Sequence, residues 1–334
     1  SAQIPNIGDV VPFHFQGIPL FIVRTKENKV KVFQNTCRHR GMILIDKAKS
    51  IEGAIRCPYH SWCYSTDGNL ISTPHVGGPG RNLHEEIDRS KLGLTEVRSH
   101  VWMGVIWINL SGNAPKFEDS MKELMDRWAD FDRPLFHGGK ESSFTIEIAA
   151  NWKLAVENYC ESYHLPWVHP GLNSYSKLED HYHIEYKNKF SGQGTKVYQQ
   201  LKDKEGNVFP DFSNLKAKWD TAAEYIAVYP NVLLGVHKDH AFAIILIPDG
   251  PEKTYEHIHL FYSQEDTPEH LRLKNSKQWR LIFDEDIPVV EGMQKGRHAV
   301  NFDGGRFSPV MDNPTHCFHF WVANEVQNGR MQKS

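Results

Sequence analysis

The sequence predicts an α+β protein with an all-β domain over residues 1–112 and a second domain, over residues 113–334, whose antiparallel sheet is flanked by helices. The chain has 334 residues, more than one hydrophobic core usually serves. Short apolar runs separated by turn-forming residues fill the first hundred positions. Runs with helical spacing begin only after them, and the later strand-like runs are consecutive, which is typical of the α+β class.

Four strand-like segments are predicted in the first domain, with Gly, Asn and Lys between them. They are PLFIVRT, KVKVFQN, GAIRCPY and VIWINLSG, at residues 19–25, 29–35, 53–59 and 105–112. The stretch SGNAP then predicts the boundary between the domains. The segment FEDSMKELMDRWADF, at residues 117–131, has helical spacing and predicts one helix.

The second domain is predicted to mix helices with an antiparallel sheet. A strand followed by a helix is expected in the segment that ends at Leu165, with Pro166 terminating the helix. Residues 224–263 contain apolar runs separated by Asn-Val, Lys-Asp and Asp-Gly turns, which predicts consecutive antiparallel strands. Residues 267–299 predict a long helix that breaks near Pro288.

Composition excludes several classes of partner. The formal net charge of -3 gives no indication of a nucleic-acid or anionic-membrane partner. No segment approaches the ~20 apolar residues that a membrane-spanning helix needs. The five cysteines are too few, and odd in number, for a disulfide framework, which predicts a reducing, cytoplasmic location. The sequence starts at Ser1, and what precedes that residue is left open.

Two Cys-His pairs lie close together in the first domain. Cys37 and His39 form a C-x-H pair, and Cys57 and His60 form a C-x-x-H pair. Two thiolates and two imidazoles suit either a structural zinc site or a Rieske [2Fe-2S] cluster, in which two Cys hold one iron and two His the other. The tight-turn residues in both pairs and the β segments around them favour the cluster. Cys63 is expected to be a core residue.

A second group of metal-binding residue types follows in the second domain. His164 and His169 are separated by four residues, and Glu157 and Glu161 would share one helical face with His164. Two His and one carboxylate on one side of an iron leave positions open for O2 and substrate. A buried helix with ordinary, hydrogen-bonded histidines is the alternative.

Both segments resemble one family. CRHRG at residues 37–41, with CPYHSW at residues 57–62, looks like the Rieske domain of the ring-hydroxylating oxygenase α subunits. ENYCESYHLPWVH, at residues 157–169, resembles that family's E-N-x-x-[DE]-x-x-H-x-x-x-x-H signature. The resemblance extends over both domains in order and spacing. It implies a catalytic domain of the helix-grip type.

The resemblance also implies roles for individual residues. The two Cys-His pairs would hold the cluster, and His164 and His169 would bind a mononuclear Fe(II). An E-D-I-x-x-x-E-x-x-Q pattern implies that Asp286, and not the nearby Asp284, is the third iron ligand. Asn158 would lie near the open side of the iron. These assignments make the second domain the site of catalysis.

Glu161 matches the carboxylate that bridges an iron-ligand His and a cluster-ligand His, here His60. Many members of the family carry Asp at this position. Glu instead resembles the oxygenases that act on carnitine, betaine and related quaternary amines. The family implies that the two centres of one subunit lie too far apart for fast electron transfer. A homotrimer, or a multiple of three, would bring His60 of one subunit to Glu161 of the next.

The implied function is that of the terminal oxygenase component of a Rieske oxygenase. A separate reductase of flavin or ferredoxin type would supply electrons, so NAD(P)H would act only indirectly. The enzyme would use O2 to hydroxylate, dihydroxylate or demethylate a small quaternary ammonium compound or an aromatic acid. A Rieske electron carrier and a zinc-binding protein are the alternatives. Several aromatic residues could line a substrate pocket: Trp152, Tyr159, Trp167, Tyr175, Tyr182, Phe242 and Trp321.

Overall fold

The computed structural model describes residues 1–331 and contains two compact units, one formed by Ser1–Asp119 and one that starts at Ser120. The boundary predicted from the sequence lies a few residues before this division. Each unit has its own sheets and its own apolar core. In the part of the chain described, no helix is both long and apolar enough to cross a membrane.

The first unit contains two antiparallel sheets. Its nine strands are β1 (Asp9–Phe15), β2 (Ile18–Arg24), β3 (Val30–Gln34), β4 (Lys49–Ser50), β5 (Ile55–Arg56), β6 (Cys63–Tyr64), β7 (Leu70–Ser72), β8 (Glu96–Trp102) and β9 (Val105–Asn109). Six of them form a sheet in the order β4-β1-β2-β3-β8-β9, and β5, β6 and β7 form a small second sheet. The predicted strand at residues 53–59 is therefore only two residues long, because the chain leaves the sheet at Cys57.

Strand β2 is buried on both faces because its side chains alternate between two cores. Phe21 and Val23 belong to the core that also contains Cys37 and Cys57. Leu20 and the residues at alternate positions from it along the strand face a smaller cluster on the opposite side of the sheet. This period of two is the property of a strand that places successive side chains on opposite faces. The two cysteines thus project from loops that are packed directly onto the sheet.

The second unit is built on one large antiparallel sheet. Its strands are β10 (Phe136–His137), β11 (Ser143–Ile148), β12 (His181–Tyr186), β13 (Phe190–Thr195), β14 (Ala223–Val228), β15 (Val232–Val236), β16 (His240–Pro248) and β17 (Thr254–Tyr262). The order is β10-β17-β16-β15-β14-β13-β12, and β11 also pairs with β17. The consecutive strands predicted over residues 224–263 are the four hairpin-connected strands β14 to β17.

Helices lie before, between and after these strands in the sequence. They are α1 (Phe117–Ser120), α2 (Lys122–Arg127), α3 (Trp152–Cys160), α4 (Leu165–Val168), α5 (Pro170–Asn173), α6 (Glu269–Gly296) and α7 (Asn313–Met331), of which α1 straddles the boundary between the units. Short 3-10 turns lie at Arg89–Lys91, Ala129–Phe131, Lys140–Ser142, Leu178–Asp180 and Ala217–Asp220. Helices α3, α6 and α7 enclose the main core with strands β14 to β17. The functional residues lie at the edge of that core.

Two predicted helices differ from the observed ones. Residues 117–131 form α1, α2 and a 3-10 turn in place of one helix. Arg127 and Trp128 both bind the buried Glu224 carboxylate, and this tertiary anchor overrides the propensity of a short segment. The predicted break near Pro288 is also wrong, because α6 continues through that residue. Proline removes only one helical hydrogen bond, and buried side chains such as Phe283 and Val290 hold the helix on both sides of it.

Candidate metal centres and active site

The two Cys-His loops of the first unit have the same backbone geometry. The Cys37 N–H donates to the Met42 carbonyl at 2.8 Å, and the Cys57 N–H donates to the Trp62 carbonyl at 2.8 Å. In each loop the cysteine carbonyl accepts a bond from the residue four positions later, Gly41 or Ser61. Both of those residues have a positive φ, +74° and +58°, which closes the turn. The loops therefore present their side chains in matching ways.

The four side chains of these loops converge. The rings of His39 and His60 have centroids 4.7 Å apart, and both cysteines are buried. Burial raises the pKa of the Cys57 thiol most and the adjacent Cys37 adds to the rise, although backbone N–H groups of Tyr59 and His60 oppose it. Those N–H groups are donors of the kind that stabilise a metal-bound thiolate. His60 Nδ1 is buried and has no hydrogen-bond partner among residues 1–331, so it is free to bind a metal.

Neighbouring aromatic residues hold this site in place. Trp62 stacks on the ring of His39 with centroids 4.7 Å apart and an interplanar angle of 9°. The Tyr64 hydroxyl accepts a bond from the Arg38 N–H at 3.0 Å and lies 3.3 Å from Cys37 Sγ. Cys63 is a buried core residue, as expected, and its thiol donates to the Ser61 carbonyl at 3.2 Å.

In the second unit, the helix that leads to the iron-binding motif is shorter than predicted. Helix α3 starts after its N-cap Asn151, ends at Cys160 and leaves Glu161 with an extended backbone. Glu157, Glu161 and His164 therefore do not share one helical face, and that prediction is wrong. Pro166 does not terminate a helix but lies in the first turn of α4, where its missing N–H costs nothing.

Three side chains from distant positions form one group of possible metal ligands. One ligand atom each from His164, His169 and Asp286 lies within 4.8 Å of the other two. Asp286 Oδ1 is 3.7 Å from His164 Nε2 and 3.0 Å from His169 Nε2. Two imidazoles and one carboxylate in this arrangement match the facial triad of non-heme iron enzymes. Asp284 is turned away and binds Arg280 at 2.7 Å.

Each histidine of this triad is oriented by its own carboxylate. His164 Nδ1 lies 2.6 Å from Glu161 Oε1, and His169 Nδ1 lies 2.7 Å from Glu285 Oε2. A carboxylate only accepts, so Nδ1 carries the proton in both rings and the lone pair of Nε2 faces Asp286. Burial lowers the pKa of His169, but the charges of Asp286 and Glu285 outweigh burial and raise it. The sequence did not predict the role of Glu285, although it directly precedes Asp286.

The spacing of the ligand atoms distinguishes the two sites. A tetrahedral zinc ion with bonds of about 2.0–2.3 Å would bring all its ligand atoms within about 4 Å of one another. Among the residues that the structure describes, only the triad of the second unit brings three such atoms within 4.8 Å. In the first unit, two cysteines and two histidines suit a cluster of two irons, each bound by one pair of residues of the same type.

The remaining residues of the signature have separate positions. Asn158 Nδ2 donates to Asp286 Oδ1 at 3.2 Å and so orients the carboxylate of the triad. Glu157 lies elsewhere, bound by Arg297 at 2.6 Å and by His319 at 2.9 Å. It connects α3 to the end of α6 and to α7, and it is not a candidate ligand.

A cavity of about 900 Å³, including its mouth, opens beside the triad. It is lined by the triad, Asn158 and several aromatic residues, and its volume suits a small organic molecule. Three of the aromatic residues proposed from the sequence, Tyr159, Tyr175 and Phe242, line it. The other four do not: Trp152, Trp167, Tyr182 and Trp321.

Sequence reasoning missed part of the cavity wall. His237, His240, Tyr225 and Trp279 line it as well. Both histidines flank the Lys-Asp turn between β15 and β16, and the sequence pattern there predicts only a turn. The described lining residues include no Lys and no Arg.

Both units match families defined by sequence. Residues 138–328 match the family described as ring hydroxylating alpha subunit (catalytic domain). Residues 1–85 match the Rieske [2Fe-2S] domain. The first of these matches covers more than half of the chain, in the unit that carries the triad.

Individual relatives are similar over most of their length. The carnitine monooxygenase oxygenase subunit of Escherichia coli (strain K12) is 27% identical over 91% of this chain and 78% of that protein. The glycine betaine monooxygenase oxygenase subunit of Chromohalobacter salexigens is 26% identical over 98% of this chain and 79% of that protein. The crystal structure of the quaternary ammonium Rieske monooxygenase CntA with L-carnitine has the same fold, with a TM-score of 0.76 and 22% identity over 97% of this chain and 86% of that one.

These matches agree with the expectation of a Rieske oxygenase and not with an electron carrier or a zinc protein. The cofactors are a [2Fe-2S] cluster and a mononuclear non-heme iron, and a separate reductase supplies the electrons. The chain belongs to the family of ring-hydroxylating oxygenase α subunits and is the terminal oxygenase component of a Rieske oxygenase.

Proposed function

We propose that Cys37, His39, Cys57 and His60 hold the cluster, and that His164, His169 and Asp286 hold the iron. The matched loops and the unpartnered His60 Nδ1 support the first set. The two Nδ1–carboxylate pairs support the second, because they leave both Nε2 atoms directed at Asp286. Iron and sulfide analysis with EPR of the reduced protein tests the first set. Zinc at full occupancy without a rhombic signal would contradict it.

The protein residues around the iron have defined tasks in this proposal. When bound, the cluster passes single electrons and the Fe(II) activates O2. Glu161 and Glu285 keep the protons of the two ligand rings on Nδ1. Asn158 engages one oxygen of Asp286, which restricts how that carboxylate turns. The aromatic walls exclude water from the reacting carbon.

Electron transfer between subunits would join the two kinds of site. Glu161 would accept a second hydrogen bond from His60 of a neighbouring subunit in a trimer, so that the electron passes between two ligand imidazoles. Tyr163, whose N–H donates to Glu161, is 42% exposed, and its ring lies 5.8 Å from that of Trp167, which is 71% exposed. Tyr59, next to His60, is 56% exposed. Such apolar surface around a carboxylate and a ligand histidine suits a contact between copies. Inter-subunit electron transfer is also described for a quaternary ammonium Rieske monooxygenase whose structure is similar to this one.

The substrate class we propose is a quaternary ammonium compound, oxidised at a carbon next to nitrogen in a reducing, cytoplasmic setting. The observation that carries it is the cavity wall, which combines aromatic side chains with the absence of Lys and Arg among its described residues. Aromatic faces attract a quaternary ammonium group. An aromatic acid has no ammonium group for these rings to attract, and the described lining residues offer its carboxylate no Lys or Arg. The named substrates of the relatives, carnitine and glycine betaine, carry a trimethylammonium group, although each also carries a carboxylate.

A substrate panel tests this class directly. The reconstituted oxygenase with a reductase should couple O2 consumption to product formation with trimethylammonium compounds, releasing formaldehyde if an N-methyl group is oxidised. Benzoate-type acids of similar size should give neither binding nor coupled turnover. Coupled turnover of the aromatic acids, with no response to trimethylammonium compounds, would reverse the assignment.

A further inference from the structure

His237 lines the cavity but has no role in the chemistry proposed at the triad. It follows β15 and is joined to His240, the first residue of β16, across a two-residue turn, with its N–H donating to the His240 carbonyl at 2.9 Å. Its side chain is fully buried and lines the cavity. The rings of His237 and His240 stack with centroids 4.2 Å apart and an interplanar angle of 6°. The position of His237 is therefore tied to that of His240.

The ring of His240 is held from both sides. Its Nδ1 lies 2.7 Å from Asp239 Oδ1, and its Nε2 accepts a hydrogen bond from Trp279 Nε1 at 2.9 Å. The indole N–H can only donate, so the proton of His240 is on Nδ1 and points at the carboxylate. Asp239 also accepts from the Tyr198 hydroxyl at 2.8 Å. Both ring nitrogens of His240 are thus used within the protein, and this ring serves as a rigid support.

His237 differs because one of its nitrogens is unused. Its Nε2 lies 3.0 Å from the Tyr225 hydroxyl, whereas Nδ1 is buried without a partner. If the Tyr225 hydroxyl donates to Nε2, the ring proton is on Nδ1, and this Nδ1–H is the one group without a hydrogen-bond partner. The opposite arrangement would leave both Nδ1 and the tyrosine O–H unsatisfied, which is more costly. The structure therefore favours an unpaired, buried Nδ1–H donor on a ring that lines the cavity.

The charge around this donor restricts the acceptor. Burial, together with the charge of His240, holds the pKa of His237 well below its ordinary value, so the ring is neutral. Burial also lowers the pKa of His181, the other cavity histidine outside the triad and the turn. The Asp239 carboxylate stays ionised behind His240, because the contacts of His240 and Tyr198 outweigh the effect of burial and lower its pKa. At this wall a substrate carboxylate would meet no Lys or Arg of the described lining and would lie near one buried negative charge.

We propose that His237 Nδ1–H donates a hydrogen bond to a neutral oxygen of the substrate, a hydroxyl, ether or carbonyl group attached to the quaternary ammonium. This inference rests on the proposed function and adds the specificity for the second functional group. It makes an amino-alcohol type of substrate preferable to one that carries a free carboxylate. A buried donor of this kind rejects an analogue that lacks the oxygen, because the donor is then left unpaired.

Two variants of His237 separate the two ring nitrogens. His237→Asn places an amide N–H near the position of Nδ1, and His237→Gln places its amide near Nε2, so only the first retains the proposed donor. The probes are choline, propyltrimethylammonium, which has a methyl group in place of the hydroxyl, and glycine betaine. Binding to the anaerobic holoenzyme is measured by calorimetry and compared with KM and kcat in the complete system.

The wild-type enzyme should bind choline about 3- to 10-fold more tightly than propyltrimethylammonium, as one net hydrogen bond allows. His237→Gln should lose that preference and His237→Asn should retain it. A folding defect common to both variants would weaken the binding of all three probes. It would not produce a difference between His237→Asn and His237→Gln. Equal binding of choline and propyltrimethylammonium by the wild type, or preferred binding of glycine betaine, would overturn this inference but not the proposed function. Failure to bind any of the three would overturn the proposed function itself.

Discussion

The histidines of the two metal-binding regions differ in what holds their rings. In the second unit His164 and His169 each have a carboxylate on Nδ1, from Glu161 and Glu285. In the first unit His39 stacks on Trp62, and the buried Nδ1 of His60 has no hydrogen-bond partner in the part of the chain that the structure describes. Orientation thus comes from side-chain carboxylates in one region and from backbone turns and stacking in the other.

This difference follows from how each site is assembled. The four residues of the first unit come from two loops whose backbone hydrogen bonds repeat each other, so local structure alone directs the side chains. The triad joins a short irregular segment to the middle of α6, more than a hundred residues later. Residues from such distant elements need further contacts to fix their rings, and Glu161, Glu285 and Asn158 supply them. The first site can form from local sequence, while the second requires the whole fold.

The largest expected effect is the loss of Asp286. Asp286→Ala should abolish turnover and iron binding at the mononuclear site, because two histidines alone do not form the facial triad. The absorption spectrum of the cluster should not change. Asp284→Ala is the matched control, since this neighbouring carboxylate binds Arg280 on the helix surface. Full activity in Asp286→Ala would place the third ligand elsewhere.

Glu161→Gln tests whether the two regions are connected. At saturating iron both metal centres should be loaded, but oxidation of the pre-reduced cluster in a single turnover should slow by orders of magnitude. The amide cannot offer two acceptor oxygens to two imidazole N–H donors. Light scattering on the same protein should give a trimer or a multiple of three. An active monomer, or cluster oxidation at the wild-type rate, is incompatible with the proposed bridge.

Glu285→Gln should have a moderate effect that is confined to the second unit. Loss of the carboxylate behind a ligand histidine typically weakens metal affinity or activity about 10- to 100-fold. The iron dissociation constant should therefore rise over that range while the cluster content stays constant. Glu291→Gln, on the same helix, provides a control for general effects on α6. An unchanged iron affinity would mean that packing alone orients His169.

The smallest effect is expected for Glu157, which contributes to stability and not to metal binding. Glu157→Gln should lower the free energy of unfolding by about 1–2 kcal/mol, a value reduced for the partial exposure of Arg297. Burial opposes ionisation, but the contacts with His319 and Arg297 prevail and lower the pKa of Glu157 below 4.5. The contribution of Glu157 to the free energy of unfolding is therefore present above pH 4.5, and it is lost as the pH falls through the lowered pKa of this residue.

Chemical denaturation at several pH values measures this dependence. The stability difference between wild type and Glu157→Gln should be full at neutral pH and shrink in acid. Glu252→Gln, which removes an exposed pair with His298, should have little effect at any pH. A difference that grows as the pH falls would contradict the assigned ionisation of Glu157.

Sequence reasoning succeeded where residue types and spacing determine the structure locally. The β segments of the first unit and the hairpins of β14 to β17 follow from alternating apolar residues and turn signals. It failed where tertiary contacts decide. Helix α3 ends before Glu161, whose carboxylate bonds the N–H groups of Tyr163 and His164, and no local pattern indicated that ending. The proposed Asp286 came from family resemblance, since acidic residues on a helix are otherwise common.

The roles of Glu285 and His237 could not be predicted for a similar reason. Each depends on one atom that lies opposite a residue far away in sequence, His169 for the first and Tyr225 for the second. A glutamate on a helix and a histidine next to a turn are ordinary residues until the fold gives them a neighbour. The sequence motif supplied the proposed metal ligands and Glu161, but it gave no indication of Glu285 or His237.

The hydroxyl of Tyr64 has a consequence for the driving force of electron delivery. Because this oxygen accepts a bond from the Arg38 N–H, its hydrogen is free to point at Cys37 Sγ. A hydrogen bond to a cluster sulfur withdraws electron density and raises the midpoint potential. If Cys37 is a cluster ligand, as proposed, Tyr64 would make the cluster easier to reduce and would lower its driving force for reducing the iron. One phenol group in the first unit would then set a thermodynamic threshold for the reaction in the second.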